Sequence, residues 1–370
     1  MVVSSNGDYD WAKEIKEFDE TKAGVKGLVD TGITKIPKLF EHPKKSLESN
    51  PPLKTAADGA APLELPTIDF QGLQSGGAEG RREVVEQIRK AAHEWGFFHI
   101  VNHPIPVDTM DAMLAAVKRF HELPAEVKAP FYTSDRNRRV KFNSNLPVRE
   151  NDAACWRDIL SCVFLDDELD PEEIPLACRE QLQEYTKYMI ELREIIAELL
   201  SEALGLRSDY LSSIECMKSQ ALACMYYPKC PEPQKTLGTS KHSDTTFLTL
   251  LMQDTIGGLQ ILHHDHWLHV PPVRGALIAN VGDLMQIISN DKFISVEHRV
   301  VAQPVGPRIS VASFFSPSTK AAAKPFAPIG KLLSDENPAV YREFMFGEYC
   351  EFYKTKFHDA TSALPHFKIR

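Results

Sequence analysis

His242-Ser243-Asp244-Thr245-Thr246-Phe247-Leu248-Thr249-Leu250-Leu251-Met252 is the stretch on which the reading of this chain turns. From Thr245 onward, apolar and hydroxyl residues alternate, the period of a strand with one face on a core. Similar short runs follow at Gly258 to Leu262, Trp267 to Val270, Ala276 to Val281, His298 to Ala302 and Ile309 to Phe315, with turn residues between them. Many short strands punctuated by turns predict a barrel or sandwich.

Before residue 220 the period is helical. Val84, Val85, Ile88, Ala92 and Trp95 share one face of a helix over 81–95, and Met110, Met113, Leu114, Val117 and Phe120 share one over 107–122. Leu182, Tyr185, Met189, Leu192, Ile196 and Leu199 mark a long helix over 179–204, with Gly205 where a C-terminal cap belongs. Short strands are expected at 65–70 and 96–101, and a last helix over 338–356. Residues 1–45 are charged and partly helical, anchored by Phe18, Val25 and Leu28; residues 43–64 read as a linker. The expected architecture is a mainly β core surrounded by α-helices, with a helical N-terminal region. Its parts are an extension (1–64), a helical α/β region (65–205), the β core (206–330) and a C-terminal helix and tail (331–370), packed as one composite domain.

Bulk properties narrow the function. A net charge of −9 disfavours a nucleic-acid partner, which needs clustered Lys and Arg. Seven scattered cysteines without a Cys-x-x-Cys pair fit a reducing compartment. No secretory leader and no apolar run of about 18 residues are evident, so a cytoplasmic protein without a membrane partner is expected.

His242 and Asp244 are two residues apart, so on a strand they project to one side. His298 sits in another strand-like run, Ser295 to Val300. Two histidines and a carboxylate can cap one face of an octahedral metal and leave three positions open, the facial triad of non-haem Fe(II) sites. The competing reading is a core histidine satisfied by a neighbour. A second triplet, His263-His264-Asp265, lies with His266 and His269 between two strands and reads as a polar hairpin connection. Arg308 and Ser310 also share a strand face, and the apolar run after them carries the strand into the core. An unpaired arginine is costly there, and an anionic ligand removes the cost.

At these residues the chain resembles the plant Fe(II)/2-oxoglutarate-dependent dioxygenases. The motifs run in order from Pro66-Thr67-Ile68-Asp69-Phe70 and Glu94-Trp95-Gly96-Phe97-Phe98 to Tyr226-Tyr227-Pro228, His242-Ser243-Asp244, Val296-Glu297-His298-Arg299-Val300 and Arg308-Ile309-Ser310. The leader Asp19 to Gly32 is similar to the ACC oxidase homologue subgroup, which includes deacetoxyvindoline 4-hydroxylase. The resemblance implies a double-stranded β-helix (jelly roll). Fe(II) would be held by His242, Asp244 and His298, and the far carboxylate of 2-oxoglutarate by Arg308 and Ser310, with Tyr227 beside it. O2 would be the third reactant and ascorbate a stimulant. The implied reaction is hydroxylation or O-demethylation of a plant specialised metabolite by a monomer, releasing succinate and CO2. An ascorbate-dependent ACC-oxidase-like enzyme and a non-catalytic ligand-binding protein are the alternatives.

Two positions depart from the family pattern. Met225 stands where Asn is usual, so that one polar contact to the cosubstrate is expected to be missing or replaced, and Pro104 replaces a glycine. The carboxylate of Asp244 disfavours halogenation. Phe314 and Phe142 are candidates for substrate contact, with Trp156 and the C-terminal helix carrying Phe352 as further walls or a lid; plain core packing is the competing reading for each aromatic.

Overall fold

The computed structural model describes residues 9–47, 64–135, 137–144, 152–357 and 362–369. Among the described residues, twelve strands form the two main sheets, and Pro325–Phe326 pairs with Phe344–Met345 in a separate ribbon. The twelve are β1 (Thr67–Asp69), β2 (Phe97–Val101), β3 (Val140–Asn143), β4 (Asp158–Phe164), β5 (Ser219–Tyr227), β6 (Leu237–His242), β7 (Leu248–Gln253), β8 (Leu259–His263), β9 (His266–His269), β10 (Leu277–Val281), β11 (His298–Val301) and β12 (Arg308–Ser316). The larger sheet has the order β1-β2-β10-β7-β12-β5-β4-β3 and the smaller β6-β11-β8-β9. The expected β core among helices is present, with strands from both halves of the chain in one sheet.

The period of two divides the larger sheet into two unlike faces. Along β12, Ile309, Val311 and Phe315 enter the main apolar core, while Arg308, Ser310, Ala312 and Phe314 line a cavity facing the smaller sheet. Helices Gly77–Glu94 and Val107–His121 both pack on the long helix Arg179–Ala203, and Val107–His121 also lies against β5 and β12. Gly205, at φ +76°, follows that long helix as a left-handed terminator.

The N-terminal segment is tied to the sheet by one buried carboxylate. Val25 and Lys26 each donate a backbone N–H to Asp158 at 2.8 Å, at the start of the helix Gly24–Asp30. Gly24 is at φ +71°, and a Cβ there would lie 2.5 Å from the same carboxylate. Phe18, Val25 and Leu28 belong to this apolar cluster, as expected, together with Trp11 and Ile15.

Three boundaries differ from the sequence reading. The strand expected from Thr245 begins at Leu248, and β6 before it was not anticipated. His242 therefore ends a strand and Asp244 lies in the connection, so strand alternation is not what brings them together. His298 opens β11 and does not sit inside a run from Ser295. The C-terminal helix starts at Phe346, because the chain from 338 first pairs Phe344–Met345 with Pro325–Phe326. Most of the expected linker lies outside the described residues; Lys44–Leu47 form a single helical turn. The hairpin expected at His263 to His266 is there, with His264 and Asp265 both at positive φ in a two-residue turn.

Candidate active site

β6 and β11 are neighbours, and their register places His298 opposite His242. The loop after β6 folds back so that Asp244 Oδ1 lies 3.6 Å from His242 Nε2 and 3.7 Å from His298 Nε2. Among the described residues this is the one group of three His, Cys, Asp or Glu side chains whose ligand atoms converge, all within 4.8 Å.

The atoms facing away from that centre are engaged. Nδ1 of His242 meets the Ser240 carbonyl at 2.8 Å, and Nδ1 of His298 meets the Val296 carbonyl at 3.2 Å. A carbonyl only accepts, so each Nδ1 is a protonated nitrogen and each Nε2 is the ring atom turned to the centre. Asp244 Oδ2 accepts from Thr249 at 2.6 Å and Asn280 at 2.7 Å, which leaves Oδ1 for the centre. Burial, then the neighbouring His298, holds His242 down at about 3, so its imidazole is neutral. Burial opposes ionisation of Asp244, but the two histidines, Asn280 and Thr249 outweigh it and keep the carboxyl below its ordinary value. Two imidazoles with Nε2 turned to the centre and one carboxylate, each oriented by a second partner, are a donor set that fits Fe(II).

The Asp244 loop is clamped from below. Asp283 donates its backbone N–H to the Asp244 carbonyl at 2.8 Å, and a Cβ on Gly282 would lie 1.9 Å from the Thr246 carbonyl oxygen. Tyr353, from the C-terminal helix, donates its hydroxyl to the Ser243 carbonyl at 2.6 Å.

The triad opens on a cavity of about 410 Å³. Its floor is a set of cross-strand rows on the larger sheet. The row of Phe97, Asn280, Thr249 and Phe314 lies at the triad end, then Leu251 and Ala312, then Ser310, Met225 and Ile159. Arg308 and Tyr227 pair at the far end. Arg308 is 1 % exposed and donates to Ser310 Oγ at 3.1 Å and Gln253 Oε1 at 2.9 Å, with its guanidinium 4.8 Å from the Tyr227 ring centre. Gly238 on β6 makes room for that ring, since a Cβ would lie 2.7 Å from it. The Tyr227 hydroxyl donates to Met225 Sδ at 3.1 Å and lies 3.2 Å from Thr239 Oγ1. Among the described residues no carboxylate pairs with Arg308, and its Nε is buried without a hydrogen-bond partner. That orphaned cation fits the far carboxylate of a dicarboxylate.

The structure brings together His242, Asp244, His298, Tyr227, Arg308, Ser310 and Phe314 around one cavity. Phe142 is not among them. It faces the opposite side of β3, where its ring meets Phe120, His121 and Tyr132. Its register partner Leu160 shares that core, whereas Ile159, one residue away, lines the cavity. Trp156 packs on Phe40 with ring centres 5.0 Å apart, and Phe352 stacks on His366, so neither is a wall; Tyr353 is. The sequence reading did not anticipate Arg157, Thr239, Thr249, Asn280 or Tyr353. The one available signal was parity: Asn280 and Thr249 occupy cavity-facing positions of their strands.

A jelly-roll core that buries a His-x-Asp…His triad beside an unpaired arginine defines a metal-dependent oxygenase of the non-haem type. Residues 218–317 match the model of the 2OG-Fe(II) oxygenase superfamily, and residues 65–184 match that of the non-haem dioxygenase N-terminal region named for morphine synthesis. The chain is 48 % identical to 1-aminocyclopropane-1-carboxylate oxidase homolog 1 of Arabidopsis thaliana, over 96 % of each. It is 45 % identical to deacetoxyvindoline 4-hydroxylase of Catharanthus roseus, over 96 % of this chain and 89 % of that one. The crystal structure of JOX2 in complex with 2OG, Fe and JA superposes with a TM-score of 0.81 at 29 % identity, over 94 % of this chain and 98 % of that one. This chain belongs to the 2OG-Fe(II) oxygenase superfamily, among the plant relatives called ACC oxidase homologues.

Proposed function

We propose that this enzyme hydroxylates a small, largely apolar plant specialised metabolite, with His242, Asp244 and His298 holding Fe(II) and Arg308, Ser310 and Tyr227 holding 2-oxoglutarate. The observation that carries the reading is the convergence of two histidines and one carboxylate at one end of a cavity whose other end buries a guanidinium with no carboxylate in ion-pair contact among the described residues. Bound iron and 2-oxoglutarate supply the oxidising power, drawn from O2, with succinate and CO2 as co-products.

The chain's own contribution is orientation and exclusion of water. Asn280 and Thr249 keep Asp244 turned so that a single oxygen faces the metal position. Arg308 and Ser310 fix the far end of the cosubstrate, and the Tyr227 ring sets the height of the guanidinium. Phe97, Leu251, Ala312 and Phe314 form the apolar floor on which a C–H bond would rest. No side chain is assigned as general acid or base, because a substrate oxidised at carbon has no proton to exchange with the protein. Hydroxylation is favoured over O-demethylation because one relative is named as a hydroxylase. In the same reading, the regions 65–205 and 206–330 work as one unit, since both supply strands to the cavity floor.

The test is an anaerobic titration of the Fe(II) enzyme with 2-oxoglutarate, following the weak visible absorption that the chelated cosubstrate gives. The band is expected in the native enzyme and lost in Arg308→Ala at the same cosubstrate concentration. Iron binding with no band from the native enzyme would remove 2-oxoglutarate from the assignment.

A further inference from the structure

A second arginine lies in the cavity. Arg157, one residue ahead of β4, is 8 % exposed and lines the cavity wall. The β4–β5 register pairs Asp158 with Tyr226, and the preceding residue falls opposite Tyr227. Tyr227 in turn pairs with Arg308. Arg157 and Arg308 therefore flank one tyrosine across three adjacent strands, on the same face of the sheet.

What surrounds Arg157 does not neutralise it. Its Nη1 donates to Thr239 Oγ1 at 2.5 Å and approaches Met225 Sδ at 3.6 Å. Its Nε is buried with no hydrogen-bond partner, and among the described residues no carboxylate pairs with it. The neighbouring Asp158 points away, engaged by Val25, Lys26 and Ser144. Its partner Thr239 lies on β6, the strand that ends at His242, and its register partner is Tyr227, so Arg157 lies between the Arg308 end of the cavity and the triad. A buried guanidinium without an acid costs several kcal/mol, and here two share one mainly apolar cavity. A dianionic ligand relieves both at once, whereas a neutral substrate relieves neither.

We infer that Arg157 is a second cationic anchor for 2-oxoglutarate, taking a carboxylate contact that the thioether of Met225 cannot make. The inference rests on the cosubstrate reading above and adds a binding residue to it. It also gives Thr239 a role: its hydroxyl holds the guanidinium toward the cavity.

The experiment is the same anaerobic titration on the full-length Fe(II) enzyme, with Arg157→Met, Arg157→Lys, Thr239→Val and Arg308→Met compared at constant ionic strength. Loss of one charge-assisted contact predicts that Arg157→Met weakens 2-oxoglutarate binding by about 10- to 100-fold. Arg157→Lys should recover part of that loss, and Thr239→Val, which keeps the charge, should lose less than Arg157→Met. Thermal melting of each variant reports folding, and if Arg157→Met does not fold, the lysine and Thr239→Val variants carry the test. Cosubstrate affinity within twofold of native in the folded Arg157 variants, with Arg308→Met weakened, overturns the inference and leaves the cosubstrate reading standing; the second arginine then faces an acidic group on the organic substrate. Absence of the band in the native enzyme fails the cosubstrate reading itself.

Discussion

The two faces of the larger sheet use the same strands for opposite purposes. On the helix-packed face, Leu160, Cys224, Val311 and Leu250 meet Phe120, Phe142 and the long helix in a continuous apolar core. On the cavity face, one residue along each strand, Ile159, Met225, Ser310 and Thr249 border a space that holds two unpaired arginines and an ionised carboxylate. The first face is filled by the protein's own apolar side chains. The second has at one end a carboxylate whose Oδ2 is held by Thr249 and Asn280 while Oδ1 faces the centre, and at the other end two guanidinium Nε atoms with no hydrogen-bond partner among the described residues. Stability and chemistry are separated here by the parity of a strand position, and substitutions on the two faces should fail in different ways.

The largest expected effect is on the cavity face. Asp244→Ala should abolish stoichiometric Fe(II) binding and bring turnover to background, while the melting temperature changes little. Iron binding and turnover that both survive would break the assignment. On the core face, Phe142→Ala should cost about 3–5 kcal/mol in denaturant unfolding, the range for a large aromatic removed from a packed core. Its folded fraction should bind 2-oxoglutarate as the native enzyme does; a changed cosubstrate affinity would blur the division between faces. Asn280→Ala, which removes one of two donors to Asp244, should lower metal affinity by about 10- to 100-fold, measured by competition with a chelator. The smallest effect is again on the core side. Burial pushes His121 down to about 3, so the folded state keeps it neutral while the unfolded chain protonates near 6.5. Its contribution is therefore present above pH 6.5 and is lost as pH falls toward 3, by up to about 1.4 kcal/mol per pH unit. Unfolding at pH 6.5 and 5.5 should show that loss in the native enzyme and a flatter dependence in His121→Gln.

What the sequence made legible follows from the chemistry. A metal face and a carboxylate anchor admit few residue types, so His242, Asp244, His298, Arg308 and Ser310 could be picked out by kind and spacing. Arg157 could not, because an arginine ahead of a strand has no signature until the register sets it across from Tyr227. Phe142 was placed in the cavity because an aromatic looks the same on either face, and parity on an edge strand is fixed only by its pairing with β4. β6 escaped notice because Leu237-Gly238-Thr239-Ser240-Lys241-His242 is polar and carries a glycine. Its reason is three-dimensional: the Tyr227 ring occupies the space that a Cβ would need.

The hydrogen bonds from Val25 and Lys26 to Asp158 reach further than their place at the edge of the molecule suggests. Asp158 is joined by one peptide bond to Arg157, so the helix Gly24–Asp30 is mechanically coupled to the cavity wall, and on the Arg157 proposal to the grip on the cosubstrate. Trimming or exchanging that helix would leave every cavity residue intact and still retune the grip.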